Sequence, residues 1–276
     1  MSQLLSKENF AKIGEFIYRK SGIALEEDKH YDKLTKYINK RSQELEIDSF
    51  RKYFFKLRFD DKEGSEFQEL MNGMTVNETY FYREKEQFEV LANHILPELH
   101  AKLPKNQPLR ILSSPCSTGE EPYSMILHIL EEAKVVEERD IEVVGIDIDS
   151  TVIQKAKASK YSERSIHAIP KGVLGQWFKK DGLGYALSDE LHGSVDFKVC
   201  NIFDKIQMRK LGKFDVIFSR NMLIYFDDAS RKEVAMTFYE MLNPGGYVLL
   251  GHAEYMSRIV SVFKAKKVDT TLIYQK

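Results

Sequence analysis

A chain of 276 residues, 43% apolar and 30% charged, is ordinary for a globular protein and long enough for one large domain or two unequal ones. Its net charge of −1 gives no global pull toward nucleic acid or a membrane surface, and no apolar run approaches the ~18 residues of a membrane span. With only Cys116 and Cys200, no CxxC, and seven histidines lacking HxxxH or HExxH spacing, neither a disulfide framework nor a metal site is expected, and a reducing cytoplasm fits. The opening MSQLLSKENF puts Lys7 and Glu8 where a signal peptide needs an apolar core.

Residues 1–75 carry a helical pattern and no strand pattern. Ser6 can cap a helix over about 7–20, with Phe10, Ile13, Phe16 and Ile17 on one face and Gly22 as punctuation. Leu34, Tyr37, Ile38 and Leu45 mark the apolar face of a second helix, and Lys33, Lys36 and Lys40 share another face of it. A third helix starts at Asp48 or Ser49 and carries Tyr53, Phe54 and Leu57. From about residue 105 strands alternate with helices. Apolar strands are expected at Leu109–Leu112, Ile141–Ile146, Phe214–Phe218 and Tyr247–Gly251, the last preceded by an Asn243-Pro-Gly-Gly turn. Helices are expected at Met125–Ala133, Thr151–Lys160 and near 229–242. That alternation predicts a mainly parallel sheet with crossover helices. A glycine-rich gap at about 165–200, containing a strand-like Val195–Val199, interrupts it and is read as an inserted antiparallel subdomain.

In open α/β sheets ligands bind beyond the carboxyl ends of the strands, so the residues just after each strand are informative. SSPCSTGEEPYS follows the first; it lacks GxGxxG, which argues against a dinucleotide, and Glu120 and Glu121 suit a cationic group such as an ammonium unless they merely cap a helix. Asp147, at the end of the second strand, is placed to accept from ribose hydroxyls, whereas Asp149 fits a helix cap. Arg220 and Asn221 follow the third strand, with Tyr225 one turn on. Asn201 and Ile202 follow the Val195–Val199 run, where the amide can meet a base edge or serve a turn. An acid for an ammonium, an acid for a ribose and an amide for a base describe S-adenosylmethionine better than NAD.

With NETYFYRE, STGEEPYS, GIDID, FSRNMLIYFD and NPGGYVLLGHAE in this order, nearly the whole chain resembles the bacterial chemotaxis receptor glutamate methyltransferases, the CheR family. The resemblance implies an all-α N-terminal domain (1–75, receptor recognition), a linker contributing to the cofactor site (76–95), and a Rossmann-like α/β methyltransferase domain (96–276) with the inserted β-subdomain. It implies methyl transfer from S-adenosylmethionine to glutamate side chains of methyl-accepting receptors, with S-adenosylhomocysteine as the second product. By the same resemblance Asn77, Thr79 and Arg83 approach the cofactor from the interdomain segment. Glu121 takes the methionyl amino group, with Glu120 its rival. Asp147 takes the ribose, Asn201 and Ile202 the adenine, Arg220 and Asn221 complete the cofactor site, and Tyr225 lies near the methyl. In some members the β-subdomain docks a receptor C-terminal tether; the compact Lys179–Leu187 hairpin favours a member not dependent on it. Tyr82 stands where Phe is usual and Ala253 where Ser is common; neither removes a chemical role.

A glutamate acceptor is ionised at neutral pH, so catalysis reduces to alignment and desolvation. Arg83 is expected to position the cofactor, or to act by way of Tyr225, because a cation held on the acceptor would blunt its nucleophilicity. Residues 29–58 hold nine Lys/Arg against four acids, so Lys33, Lys36 and Lys40 are expected to meet a Glu-rich receptor. A monomer is the expected state. A non-catalytic adaptor on the same fold would be preferred only if Arg83, Asp147 or Asn221 were missing.

Overall fold

The computed structural model describes residues 5–104, 106–133 and 138–276. Helix α1 (Lys7–Ser21) starts where Ser6 accepts the Asn9 N–H and ends at Gly22, whose left-handed backbone closes the last turn on Tyr18. It packs Phe10, Ile13 and Ile17 against Leu34 and Ile38 of α2 (Glu27–Glu44) and Tyr53 of α3 (Phe50–Phe55). A π-type turn, Lys56–Asp60, follows α3, and the Asp61 carboxylate then receives the Glu66 and Phe67 N–H groups at the start of α4 (Ser65–Met74). One buried acid ties this domain together: Glu66 accepts Nε and Nη2 of Arg41 and the Tyr53 hydroxyl. Arg41, counted in sequence among the basic surface charges, is therefore committed to the interior.

Residues 86–95, expected as linker, are instead helical. Helix α5 (Glu86–Val90), a π-type turn (Leu91–Ile95) and α6 (Leu96–Lys102) form one run, with Phe88, Leu91, Ile95 and Leu96 in the core of the second domain. There, β1 (Leu109–Ser113), α7 (Glu120–Glu132), β2 (Ile141–Asp147) and α8 (Ser150–Ala158) begin a parallel sheet. The insert follows: β3 (Lys160–Ser162), short helices α9 (Glu163–Ile166) and α10 (Lys171–Trp177), then the hairpin β4 (Phe178–Asp181) and β5 (Gly184–Leu187). They form a three-stranded antiparallel sheet ordered β3-β5-β4. Strand β6 (Val195–Val199) does not belong to it. It pairs parallel with β2, because the Phe197 ring packs on Gly145, where a Cβ would lie 2.8 Å from that ring. The expected boundaries of the insert, 165–200, therefore correct to the segment between β3 and β5.

The chain continues through α11 (Lys205–Lys210), β7 (Phe214–Ser219), α12 (Asp228–Met241) and β8 (Leu242–Leu250). The Asn243–Gly246 turn is absorbed into β8 as a bulge, the register moving from Phe214↔Leu242 to Val216↔Tyr247. Sequence reading did not identify the closing hairpin, β9 (Lys264–Val268) and β10 (Thr271–Gln275), because four exposed β9 positions offer little apolar pattern. The seven-stranded order is β6-β2-β1-β7-β8-β10-β9. The chain runs outward from β1 through β2 to β6, then returns to β7 on its other side. The switch point where ligands bind thus falls between the carboxyl ends of β1 and β7. Among the described residues no helix is long and apolar enough to cross a membrane.

Candidate active site

A cavity of about 350 Å³ opens at that switch point, within the size range of small-molecule sites. The ends of β1, β2, β6 and β7 form its floor, and α1, α4 and residues 75–80 close it from the N-terminal side. Asn77, Thr79, Arg83, Glu121, Asp147, Asn201, Ile202, Arg220, Asn221 and Tyr225 all line it. Residues separated by as many as 148 positions in sequence are brought together there.

The two tandem acids part company. Glu120 turns toward the insert, accepting the Ser165 hydroxyl at 2.7 Å and the Thr118 hydroxyl. Glu121 faces the cavity, accepts Ser113 Oγ at 2.7 Å, and sits 3.3 Å from Arg220 Nη1. Burial pushes the Glu121 carboxyl up, against the opposing pull of Arg220. Asp147 closes β2 with one oxygen accepting the Ser117 N–H and the other the Asp149 N–H, and burial pushes it up to about 6 against those bonds. Asp149 caps α8 through the Thr151 and Val152 N–H groups, as expected for that position.

Arg220 is the hub of the floor. Besides Glu121 it meets Glu84 at 3.3 Å, donates to the Arg83 carbonyl at 2.5 Å, and lies over the Phe88 ring. Asn221 adopts a left-handed backbone. That turn is held by Glu254, a residue sequence reasoning quoted within GHAE but gave no role. Its carboxylate accepts the N–H groups of Asn221 (2.8 Å), Leu223 (2.7 Å) and Gly251 (3.0 Å). Ser113 and Glu84 were likewise missed, since a strand-end Ser and one acid among many carry no pattern.

NETYFYRE divides its work. Asn77 donates to Asp149 at 2.8 Å, so it joins the linker to the α8 cap while lining the cavity. Phe81 is fully buried against Tyr161 and Phe178, anchoring the linker to the insert. Tyr82 is buried beside Phe88 and His128, and its N–H is taken by Ser124. Tyr80 lies beneath the Arg83 guanidinium, which also donates to the Glu78 carbonyl. Thr79 is half-buried on the cavity wall.

Ile202 is buried on the wall, but the Asn201 amide is partly committed: Nδ2 donates to the Lys20 carbonyl at 2.7 Å, and Oδ1 accepts the Phe203 N–H. Tyr225 is 37% exposed, at the rim. The lysines lie outside the cavity, and Lys33 is also tied to the fold. Its Nζ donates to the Met74 and Thr75 carbonyls, closing the end of α4, and burial lowers its pKa against the pull of Asp149. Lys36 is exposed, and Lys40 makes a loose 3.7 Å pair with Glu44.

Comparison with known proteins agrees with both halves of this architecture. The all-alpha domain of CheR methyltransferases matches residues 8–75, and the SAM binding domain of CheR methyltransferases matches residues 77–272. Chemotaxis protein methyltransferase 2 of Vibrio cholerae is 42% identical over 275 residues, covering 99% of this chain and 94% of that one. The chemotaxis protein methyltransferases of Salmonella typhimurium (30% over 267 residues, 95% and 88% covered) and Escherichia coli (31% over 260 residues, 92% and 87%) are also similar end to end. With its helical domain, its cleft at the switch point of the sheet and its relatives in agreement, this chain belongs to the CheR methyltransferases, a family of S-adenosylmethionine-dependent chemotaxis enzymes.

Proposed function

We propose that this enzyme methylates glutamate side-chain carboxylates of chemotaxis receptors, giving glutamate 5-O-methyl esters and S-adenosylhomocysteine for sensory adaptation. The observation that carries the reading is the pairing of two cavity-facing acids, the part-buried Glu121 and the buried Asp147, with an exposed tyrosine at the cavity rim. The donor set fits the cofactor. An ammonium offsets the cost of burying Glu121, and each Asp147 oxygen, already holding one backbone N–H, has a lone pair left for a ribose hydroxyl.

S-adenosylmethionine supplies a sulfonium-bound methyl already activated toward a carboxylate. The acceptor is ionised at neutral pH and needs no base. The remaining task of the protein is to align and desolvate. Glu121 binds the methionyl ammonium and Asp147 the ribose, Ile202 offers an apolar face to the base, and Asn221 shapes the floor. Arg83, whose guanidinium forms no ion pair with a described residue, has donors left for the cofactor carboxylate. Tyr225 stands where the acceptor enters.

The exposed Lys36 and Lys40 give the N-terminal domain a basic face for Glu-rich receptor helices, whose cytoplasmic location places the reaction in the cytoplasm. The enzyme is read as a monomer. The small antiparallel sheet is the place for a receptor tether peptide, although its short Gly182–Leu183 turn favours independence from one. Transfer of labelled methyl from S-adenosylmethionine to receptor-containing membranes tests the reading. Base-labile label released as methanol supports glutamyl esters; base-stable label overturns the acceptor assignment.

A further inference from the structure

The end of α1 does more than close a helix. Its last turn and the residues after it seat in a notch between two loops of the methyltransferase domain. One, after β6, carries Asn201–Phe203; the other, after β7, carries Tyr225–Asp227. Five contacts make the seat. Asn201 Nδ2 donates to Lys20 O at 2.7 Å, satisfying a carbonyl that a helix end leaves free. Gly22 lies against both loops: a Cβ there would be 2.7 Å from the Phe203 ring and 3.0 Å from the Phe226 ring. Ile23 pairs antiparallel with Phe226, and the Ala24 N–H donates to the Tyr225 carbonyl at 3.3 Å. The Tyr18 hydroxyl donates to Asp227 Oδ2 at 2.9 Å.

These bonds bracket Tyr225 on its own carbonyl and on the two residues that follow. Tyr225 otherwise stands on a short turn, Leu223–Tyr225, with its side chain half in solvent. Glu254 holds the start of that turn at the Asn221 and Leu223 N–H groups, and the α1 seat holds its end, which narrows the orientations open to Tyr225. Gly22 suits that task because its left-handed backbone (φ 74°) turns the chain from helix to strand within one residue, and its missing side chain admits both rings.

We propose that Tyr18 and the Gly22–Ala24 segment of the N-terminal domain are positioning residues for the methyl-transfer step, fixing Tyr225 at the rim of the cavity. The helical domain is then part of the catalytic apparatus as well as a docking surface. The proposal rests on the role given to Tyr225 above.

The test measures kcat, receptor KM and S-adenosylhomocysteine affinity for Gly22→Ala and Tyr18→Phe, each alone and combined with Tyr225→Phe. Gly22→Ala, which forces the two rings apart, is expected to lower kcat about 10- to 100-fold, as small misplacements at reacting centres do. Tyr18→Phe, which deletes one hydrogen bond and leaves no void, is expected to lower it about fivefold. Receptor KM stays within about twofold, because Lys36 and Lys40 are untouched, and neither change lowers kcat further once Tyr225 is Phe. Full kcat in Tyr18→Phe with an impaired Tyr225→Phe overturns the positioning role and leaves the role of Tyr225 standing; so do losses that add independently to that of Tyr225→Phe. A rise in receptor KM with kcat unchanged assigns the segment to recognition and also overturns it. Full kcat in Tyr225→Phe removes both the role of Tyr225 and this inference. Should Gly22→Ala not fold, Tyr18→Phe decides alone.

Discussion

Arg220 holds Nη1 3.3 Å from Glu121 in a setting where the arginine side chain is 2% exposed and the glutamate 12%. The same guanidinium faces Glu84, so one buried cation serves two part-buried acids. Arg220→Ala leaves those acids facing each other unpaired, which costs about 3–5 kcal/mol. Thermal unfolding of the ligand-free protein should show a large drop in Tm. Arg220→Lys should fall between, since a point charge cannot serve both acids and the Arg83 carbonyl together.

Glu121→Gln and Glu120→Gln should separate by cofactor affinity. Removing the charge that meets an ammonium costs about 1.5–3 kcal/mol, or roughly 10- to 100-fold in Kd. Glu120 bonds Ser165 and Thr118, so its amide variant should bind S-adenosylhomocysteine as the parent does and lose stability instead. Titration calorimetry on both variants checks the assignment, and equal losses would remove it.

Asp147 gives a pH dependence whose direction follows from its burial. Its carboxyl is pushed up to about 6, so it holds a proton just below that pH in the free protein, where an ordinary aspartate would be ionised. The ribose site needs the acceptor form. The apparent Kd for S-adenosylhomocysteine should therefore rise as pH falls below about 6, toward about tenfold per unit. The effect on folding has the opposite sense. Below pH 6 the folded ligand-free chain holds this proton more tightly than the unfolded one, so the group's contribution to stability is lost as pH rises through about 6. A flat binding profile between about pH 5 and pH 7.5 would take Asp147 out of the ribose role.

Glu254→Gln replaces one acceptor oxygen by a donor facing a backbone N–H, at a cost of about 1–3 kcal/mol. It also loosens the turn from Asn221 to Tyr225, so kcat should fall more than cofactor affinity does. Single-turnover rates beside binding data check this.

Charge reversal should sort the lysines of α2. Lys36→Glu and Lys40→Glu should raise the KM for receptor, more at low salt than at high salt, without touching cofactor binding. Lys33→Ala should lower Tm instead, because it frees the Met74 and Thr75 carbonyls. No change in KM at low salt for either reversal would remove the basic face from recognition.

Much of this protein is written locally. Ser6, Gly22 and the spacing of Phe10, Ile13 and Ile17 define α1 within a few residues of sequence, and the β-branched run ending at Asp147 defines β2 and its terminal acid. Caps, periodicity and strand ends act over short distances, so the all-α domain, the parallel sheet and strand-end residues such as Asp147, Asn201, Arg220 and Asn221 were legible without coordinates, whereas Asn77, Thr79 and Arg83 came from the family resemblance alone. What tertiary structure decided is where side chains with equal local prospects point and what they meet. Glu120 and Glu121 are adjacent acids, told apart only because Ser165 of the insert approaches one and Arg220 of β7's loop the other. Lys33 and Arg41 read as surface cations until α4 supplies two carbonyls and Glu66. Val195–Val199 reads as part of the insert until Phe197 finds Gly145. Each partner lies 25 or more residues away in the chain, beyond the reach of any local pattern, and only the closed fold brings the pair together.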